Sequence, residues 1–347
     1  MHPACMSVFN NGPSAFSTTR AYEEFTALTG VLLELGSQPL HVLDLTARIA
    51  VERLRVMAAA AVTQPSSRAE EVRGNLAAMP SRELVQLLVE RPTLTLTPDA
   101  GLQEISPDSA TESYTLAPLY GLMFPRDHLL QIEDLCFIAS FRRDQRQAEA
   151  ELVALSVEAA MPQLDLVRLD SFFEGGDAVA CRERRVLFLS HGHRSDRRSA
   201  LRIAAMIAGH GWSTVLLADR HRSQEEFHLD HWAAVVGDAL LCEEGRVAGL
   251  REVEWVAPVG DGSPAGARLD EVLKSHGMTL LPVPRRVAGP YGFNVLDLAD
   301  AGAVVCSDSA PAMAAVLREL GRGVVSVEFS TFESNFGSVH CATNELL

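Results

Sequence analysis

The 347-residue chain has no CxxC pair among its six cysteines, no apolar run long enough to cross a membrane and no excess of basic residues. Cys5, Cys136, Cys181, Cys242, Cys306 and Cys341 are scattered, which argues against a disulfide framework and against a zinc ribbon. Most of them are expected to be reduced and buried. The longest apolar stretches are strand-length or are broken by arginine and glutamate, as in Leu45 to Val62, so no segment reads as a membrane span. The opening Met-His-Pro-Ala-Cys lacks a basic region followed by an apolar run, so no signal peptide is expected and the cytoplasm is the default location. A net charge of -15 disfavours nucleic acid and anionic membrane surfaces as partners, and it mildly attracts a cation.

What is present is an ordinary globular composition, 47% hydrophobic and 22% charged, with a recurring helix-then-strand unit. Helix Tyr22 to Leu35, stopped by Gly36, precedes a strand at Pro39 to Leu43. Helices over Gln147 to Met161, Ser195 to Gly209, Ala267 to His276 and Ala310 to Leu320 precede strands Leu164 to Leu169, Ser213 to Ala218, Met278 to Val283 and Gly323 to Phe329. The later strands recur at roughly 45 to 65 residues, a spacing at which repeated supersecondary units are suspected. The first gap is longer and is expected to hold a helical insertion at residues 45 to 95. That segment contains the apolar stripe of Leu45 to Val62, a capping-box pattern at Ser67 to Glu70 and a helix opening at Ser81. Pro92 to Ser113 reads as its return loop. Further apolar runs at Leu135 to Ser140, Val186 to Ser190 and Ala233 to Leu241 read as strands. This surplus of strand argues against a doubly wound sheet and for a single α/β domain over residues 1 to 347, a closed ring of five ββαβ-like units.

Chemistry-bearing residues fall in islands. Cys341 lies in a polar, loop-like setting after Gly337-Ser338-Val339-His340, whereas a cysteine taken at random is more often a small buried hydrophobe. A free thiol is mostly protonated at neutral pH and needs a positive neighbour or a base, and His228 and His340 are candidates. His228-Leu229-Asp230 opens an apolar run, and strand alternation would put His228 and Asp230 on one face. Glu174-Gly175-Gly176-Asp177 reads as a tight bend able to aim a carboxylate. Phe124-Pro125-Arg126-Asp127 adds another acid in an extended or turn conformation. His221, His228, Asp230, His231 and the His191/His193 pair are ligand types for zinc, but their spacing fits neither HExxH nor another standard zinc pattern. One cysteine and one histidine among at least three carboxylates make a poor protease, because anions disfavour a thiolate. They suit a guanidinium, which bonds carboxylates in bidentate geometry.

In order and spacing, Arg126-Asp127, Glu174 to Asp177, His228 to Asp230 and His340-Cys341 resemble the guanidine-modifying (pentein) superfamily, most closely the arginine deiminases. Asn294-Val295-Leu296 is similar to that family's NxL segment, and the helical insertion is similar to the one that sets arginine deiminases apart from the shorter dimethylarginine hydrolases. The resemblance implies a five-bladed α/β propeller, no metal or organic cofactor and a small guanidino substrate. It also implies Cys341 as nucleophile, His228 as general acid/base, Asp127 and Asp230 as guanidinium clamps, and Glu174 holding substrate and orienting His228. Phe124, Arg126, Gly121, Arg194 and His340 would line the substrate site. A homo-oligomer is left open.

The departures concern the substrate's carboxylate end. The family carries an asparagine six positions before the RD aspartate, an arginine in the following strand and an arginine five positions before the cysteine. Gly121, Ser140 and Phe336 stand at those positions here, and Arg194 keeps the remaining arginine. Each charged hydrogen bond lost there should weaken free arginine by roughly 1.5 to 3 kcal/mol. Three readings follow: a cysteine hydrolase that releases ammonia and a ureido product from arginine or an arginine-like compound, an amidinotransferase with an amine acceptor, and a non-catalytic guanidino-binding relative.

Overall fold

The structure, a computed structural model, describes residues 17–62, 69–91, 94–96, 112–114, 116–219, 227–247, 250, 252–257 and 267–346. Cys5, Ser67, His221 and most of the expected return loop lie outside them. The chain opens on helix α1 (Thr18–Glu34), where Ser17 accepts a hydrogen bond from the Arg20 amide and Gly36 ends the helix at φ +85°. Helices α2 (Val42–Thr46), α3 (Val51–Ala61), α4 (Ala69–Ala78) and α5 (Ser81–Glu90) follow, and then β1 (Leu94–Leu96) pairs with β2 (Glu112–Tyr114).

Four ββαβ units come next. The first is β3 (Leu129–Ile132), β4 (Leu135–Ile138), α6 (Gln147–Ala160) and β5 (Asp165–Arg168). The second is β6 (Ala178–Cys181), β7 (Val186–His191), α7 (Arg197–Ala208) and β8 (Ser213–Ala218). The third starts with β9 (Ala233–Val236) and β10 (Ala239–Glu243), continues through α8 (Glu244–Val247), β11 (Glu252–Val256), β12 (Ala267–Arg268) and α9 (Leu269–Ser275), and closes on β13 (Thr279–Val283). After α10 (Arg285–Ala288), the fourth is β14 (Leu296–Leu298), β15 (Ala303–Ser307), α11 (Pro311–Glu319) and β16 (Gly323–Val327), followed by α12 (Ser330–Glu333). In each unit an antiparallel hairpin is joined through a helix to a parallel third strand, as where β4 sets Leu135 against Asp165. Strands β11 and β12 extend the second sheet to five.

The second strand of each hairpin lies between two neighbours and is almost wholly apolar and buried, as in Leu135-Cys136-Phe137-Ile138. The helices cover these sheets with stripes at helical spacing; on α7 the buried set includes Ala200, Ile203, Ala204 and Ile207. Residues of the helical segment, among them Leu54, Leu84 and Leu88, share one core with Leu122, Cys136, Phe141 and Val153 of the first unit.

Three local expectations are corrected. Pro39 to Leu43 is not a strand: Val42, Leu45 and Thr46 turn inward at helical spacing, and the Thr46 hydroxyl lies 3.1 Å from that of Ser156 on α6. The unit expected there is therefore not seen among the described residues, which hold four. Leu45 to Val62 is two helices, α2 ending at Thr46 and α3 beginning at Val51. Ala233 to Leu241 is a hairpin, because Gly237 takes φ +55° and turns the chain between β9 and β10.

The shared core predicts how the chain unfolds. Leu88→Ala should cost about 2–5 kcal/mol and shift the denaturant midpoint reported by tryptophan fluorescence, although the tryptophans sit in later units. Exposed Val56→Ala should stay within about 0.5 kcal/mol. An unshifted tryptophan transition in the Leu88 variant would show that the helical segment unfolds by itself.

Candidate active site

Each ββαβ unit is entered through a tight turn, and those turns carry the candidate residues. Asp127 lies in the 3-10 turn Pro125–His128 before β3, where proline starts the turn with its fixed φ. Glu174 precedes the 3-10 turn Gly175–Asp177 before β6. His228 precedes the 3-10 turn Leu229–His231 before β9, and Asn294 follows the turn at Tyr291 before β14. The second of these turns packs against both the first and the third. Glycine is required at 176, because a Cβ there would lie 2.6 Å from His228 Nδ1 and 3.0 Å from Asp127 Oδ1. The tight bend expected at Glu174 to Asp177 is thus present. The strand expected at His228 to Asp230 is a turn instead, so strand alternation does not relate these two side chains.

His228 is buried with its nitrogens against two carboxylates: Nε2 donates to Glu174 Oε2 at 2.8 Å, and Nδ1 lies 3.3 Å from Asp127 Oδ1. Burial alone would lower the imidazole pKa, but the charge of Asp127 and the hydrogen bond to Glu174 outweigh it and raise the value to about 9. Burial likewise opposes ionisation of Glu174, yet the His228 hydrogen bond and charge, with Arg146 and Arg194, bring it to about 2. The pair is an imidazolium and a carboxylate at neutral pH.

Cys341 is held from two sides by Asn294, whose Oδ1 accepts from the Cys341 amide at 3.1 Å and whose Nδ2 donates to Sγ at 3.0 Å. Sγ also lies 3.4 Å from Asp230 Oδ2 and 4.0 Å from His231 Nε2. Burial, followed by the charges of Asp230 and Asp127, pushes the thiol well above its ordinary pKa, so it is protonated at rest. Asp230 accepts from His340 Nδ1 at 2.8 Å; against burial, that bond and the neighbouring histidines keep its pKa low. His340 itself is lowered by burial and by the Arg126 charge. Behind these groups, burial raises Asp177 to about 7. Asp127 Oδ1, Glu174 Oε1 and Asp230 Oδ1 are buried and accept no hydrogen bond from the described residues.

The cations are arranged differently from the sequence reading. Ser140 is tied by backbone bonds to Phe173, and the buried guanidinium comes from Arg146, at the start of α6. Arg146 donates to Asp127 Oδ2 at 2.9 Å and Glu149 Oε2 at 3.0 Å, and stacks 4.1 Å over the Phe141 ring. It fills the space beside Gly121, where any Cβ would collide with it. Arg194 lies 3.8 Å from Glu174 Oε1 and 4.6 Å from the Phe227 ring. Arg126 points elsewhere, toward the His340 carbonyl at 3.4 Å and into a cavity of about 110 Å³ lined also by Asp230, Arg182 and Glu345. Phe124 packs against Phe332 and over Gly337, where a Cβ would come within 2.5 Å of its ring. Phe336 is exposed, at φ +68°.

Arg146 and Glu149 were not singled out from the sequence, and His231 was weighed only as a zinc-ligand type. Arg146 belongs to Arg142-Arg143-Asp144-Gln145-Arg146, which has the charge of a solvated helix start. His231 would point away from His228 on a strand, and only the 3-10 turn brings it to the sulfur. Two groups have metal-ligand types close together, His228 with Asp230 and His231, and Asp127 with Glu174 and His228. Both draw on His228, whose nitrogens already face Glu174 Oε2 at 2.8 Å and Asp127 Oδ1 at 3.3 Å.

A family model described as arginine deiminase matches residues 45–347. The N-terminal domain of ArgZ, an arginine dihydrolase from the ornithine-ammonia cycle in cyanobacteria, solved with its product, is similar at 19% identity and TM-score 0.50, covering 64% of this chain and 74% of that one. DDAH from Pseudomonas aeruginosa, solved with citrulline, is similar at 15% identity and TM-score 0.49, covering 64% and 76%. No curated protein sequence matches the chain. Among the described residues no helix is long and apolar enough to cross a membrane.

Titration of the His228 pair checks the electrostatics. By histidine NMR, His228 should stay protonated through neutrality and titrate near 9, and Glu174→Gln should bring it down by about a unit or more. Because its folded pKa is raised from 6.5, the stability it adds is complete below pH 6.5 and is lost as pH rises through about 9. Glu174 acts at the other end: its contribution is present above its ordinary 4.5 and is lost as pH falls through about 2. A His228 titration near 6.5 in both proteins would contradict the ion pair.

Proposed function

The chain belongs to the arginine deiminase family, and from that premise we propose that it hydrolyses the guanidinium group of arginine or an arginine-like compound, with Cys341 as nucleophile. The observation that carries this reading is the set of three buried carboxylate oxygens beside a buried thiol, on Asp127, Glu174 and Asp230, that accept no hydrogen bond from the described residues. A buried acceptor without a donor is costly, and a planar guanidinium brings five N–H donors and a positive charge to satisfy these three.

The same cation would lower the pKa of Cys341, so that the substrate helps to generate its own nucleophile. Sulfur then bonds to the guanidinium carbon. The carbon–nitrogen bond breaks, ammonia leaves with a proton from the His228 imidazolium, and a thiouronium remains on Cys341. His228, now neutral, takes a proton from water; the hydroxide adds to the carbon, the carbon–sulfur bond breaks as the adduct's hydroxyl proton passes to the departing sulfur, and a ureido product leaves with the Cys341 thiol restored. Arg194 supports recognition of an anionic tail, since among the described residues its ion-pair partner is Glu174, at 3.8 Å. Arg146 is already held by Asp127 and Glu149, and Phe336 contributes no charge. This favours a guanidino compound gripped mainly by its head group.

The reading extends to the finer form of the fold, a five-bladed α/β propeller with the helical insertion at 45–95 in a single catalytic domain. Four repeated units support it, and α1 packs on β16 of the last of them.

Cys341→Ser should reduce turnover about a thousandfold or more while a guanidino ligand still binds. Ultraviolet titration of the thiolate should give a lower pKa with an unreactive guanidine than without it; identical curves would refute substrate-assisted ionisation. Assays with arginine and guanidino analogues should release ammonia and ureido product in equal amounts without an amine acceptor. A new guanidino product formed only with an acceptor would instead mark a transferase, and no product under either condition would leave a binding protein.

A further inference from the structure

We propose that His231 is a further catalytic residue, the base that receives the Cys341 thiol proton, so that two histidines divide the proton transfers of the proposed reaction. This inference rests on the assignment of Cys341 as nucleophile. The resting thiol is protonated and needs an acceptor within reach. His228 is the acid island's obvious histidine, but its nitrogens face Glu174 at 2.8 Å and Asp127 at 3.3 Å, and its two N–H protons are held by their charge. His340 directs Nδ1 to Asp230 Oδ2 at 2.8 Å. The thiol donates to Asp230 Oδ2 at 3.4 Å, but that carboxylate, with its pKa held low by His340, is a weak base; the ring nitrogen near sulfur is His231 Nε2, 4.0 Å from Sγ.

Its surroundings suit a transient imidazolium. Asp230 Oδ1, which accepts no hydrogen bond from the described residues, lies 3.8 Å from His231 Nε2 and would stabilise the added charge. The ring is buried, with Phe227 at 5.1 Å, Tyr291 at 5.9 Å and His228 at 6.4 Å between centroids. Among the described residues, the ionisable groups facing it include Asp230 and His228 from its own turn, Tyr291 from the segment before β14, and Cys341 from the C-terminal segment. In the step itself the S–H bond breaks, the proton bonds to Nε2, and the sulfur electron pair becomes available for the guanidinium carbon. His228 retains its proton for the departing ammonia.

The test follows alkylation of Cys341 by iodoacetamide, with the adduct located by peptide mass and Cys341→Ser as the blank; no substrate is needed, so it is separate from the assay of hydrolysis. His231→Asn should slow alkylation tenfold or more at pH 7, the two rates should converge at pH 10 where hydroxide removes the proton, and added imidazole should restore the rate in His231→Ala. Equal rates at pH 7 would overturn the proposal. So would an equal deficit at pH 7 and pH 10 with no imidazole rescue, which would mark a purely structural histidine.

Discussion

The buried His228 imidazolium, set between Glu174 and Asp127, is the interaction on which the rest of the site depends. An ion pair taken out of water is stable only where geometry and further hydrogen bonds compensate its desolvation, and removing one partner typically costs 3–5 kcal/mol. That requirement accounts for the sequence around it. Gly176 is needed so that the second turn can lie against the ring, and three turns from three units must be held together for the two carboxylates to reach one histidine. The ββαβ units thus act as a frame that delivers short turns to one place, with their apolar central strands fixing where each turn begins.

The same concentration of carboxylates keeps Cys341 protonated, which is the opposite of what a resting nucleophile would seem to need. In the proposed reaction this becomes selectivity: the thiol ionises when a cation enters, and a neutral molecule does not activate it. Arg146 complicates that simple balance. Its guanidinium already neutralises one oxygen of Asp127, and it occupies the space left by the missing side chain at Gly121. Tail recognition is consequently reorganised around a buried internal cation, with Arg194 the more available one.

Much of this architecture was readable from periodicity. Helix α6 and strand β8 fall where the apolar spacing predicts them, because each buries a regular face that a one-residue shift would expose. The acid, histidine and cysteine islands were also visible as residue types. What could not be read was conformation decided by tertiary contacts. Pro39 to Leu43 has strand composition but is drawn toward α6, and Gly237 splits an apolar run only because its backbone turns there. His228 to His231 alternates like a strand yet forms a 3-10 turn, and this difference decides which histidine approaches the sulfur. Arg146 looked solvent-facing because nothing in a charged run reveals that one of its members is buried.

The central claim is that Cys341 forms a bond to the guanidinium carbon. Acid-quenched intact mass spectrometry during turnover of a guanidino substrate tests this most directly. The account predicts a mass increase equal to the neutral substrate less ammonia, located at Cys341 and absent from Cys341→Ser. Steady ureido production, with Cys341 still a free thiol at every quench time and the serine variant fully active, would contradict it.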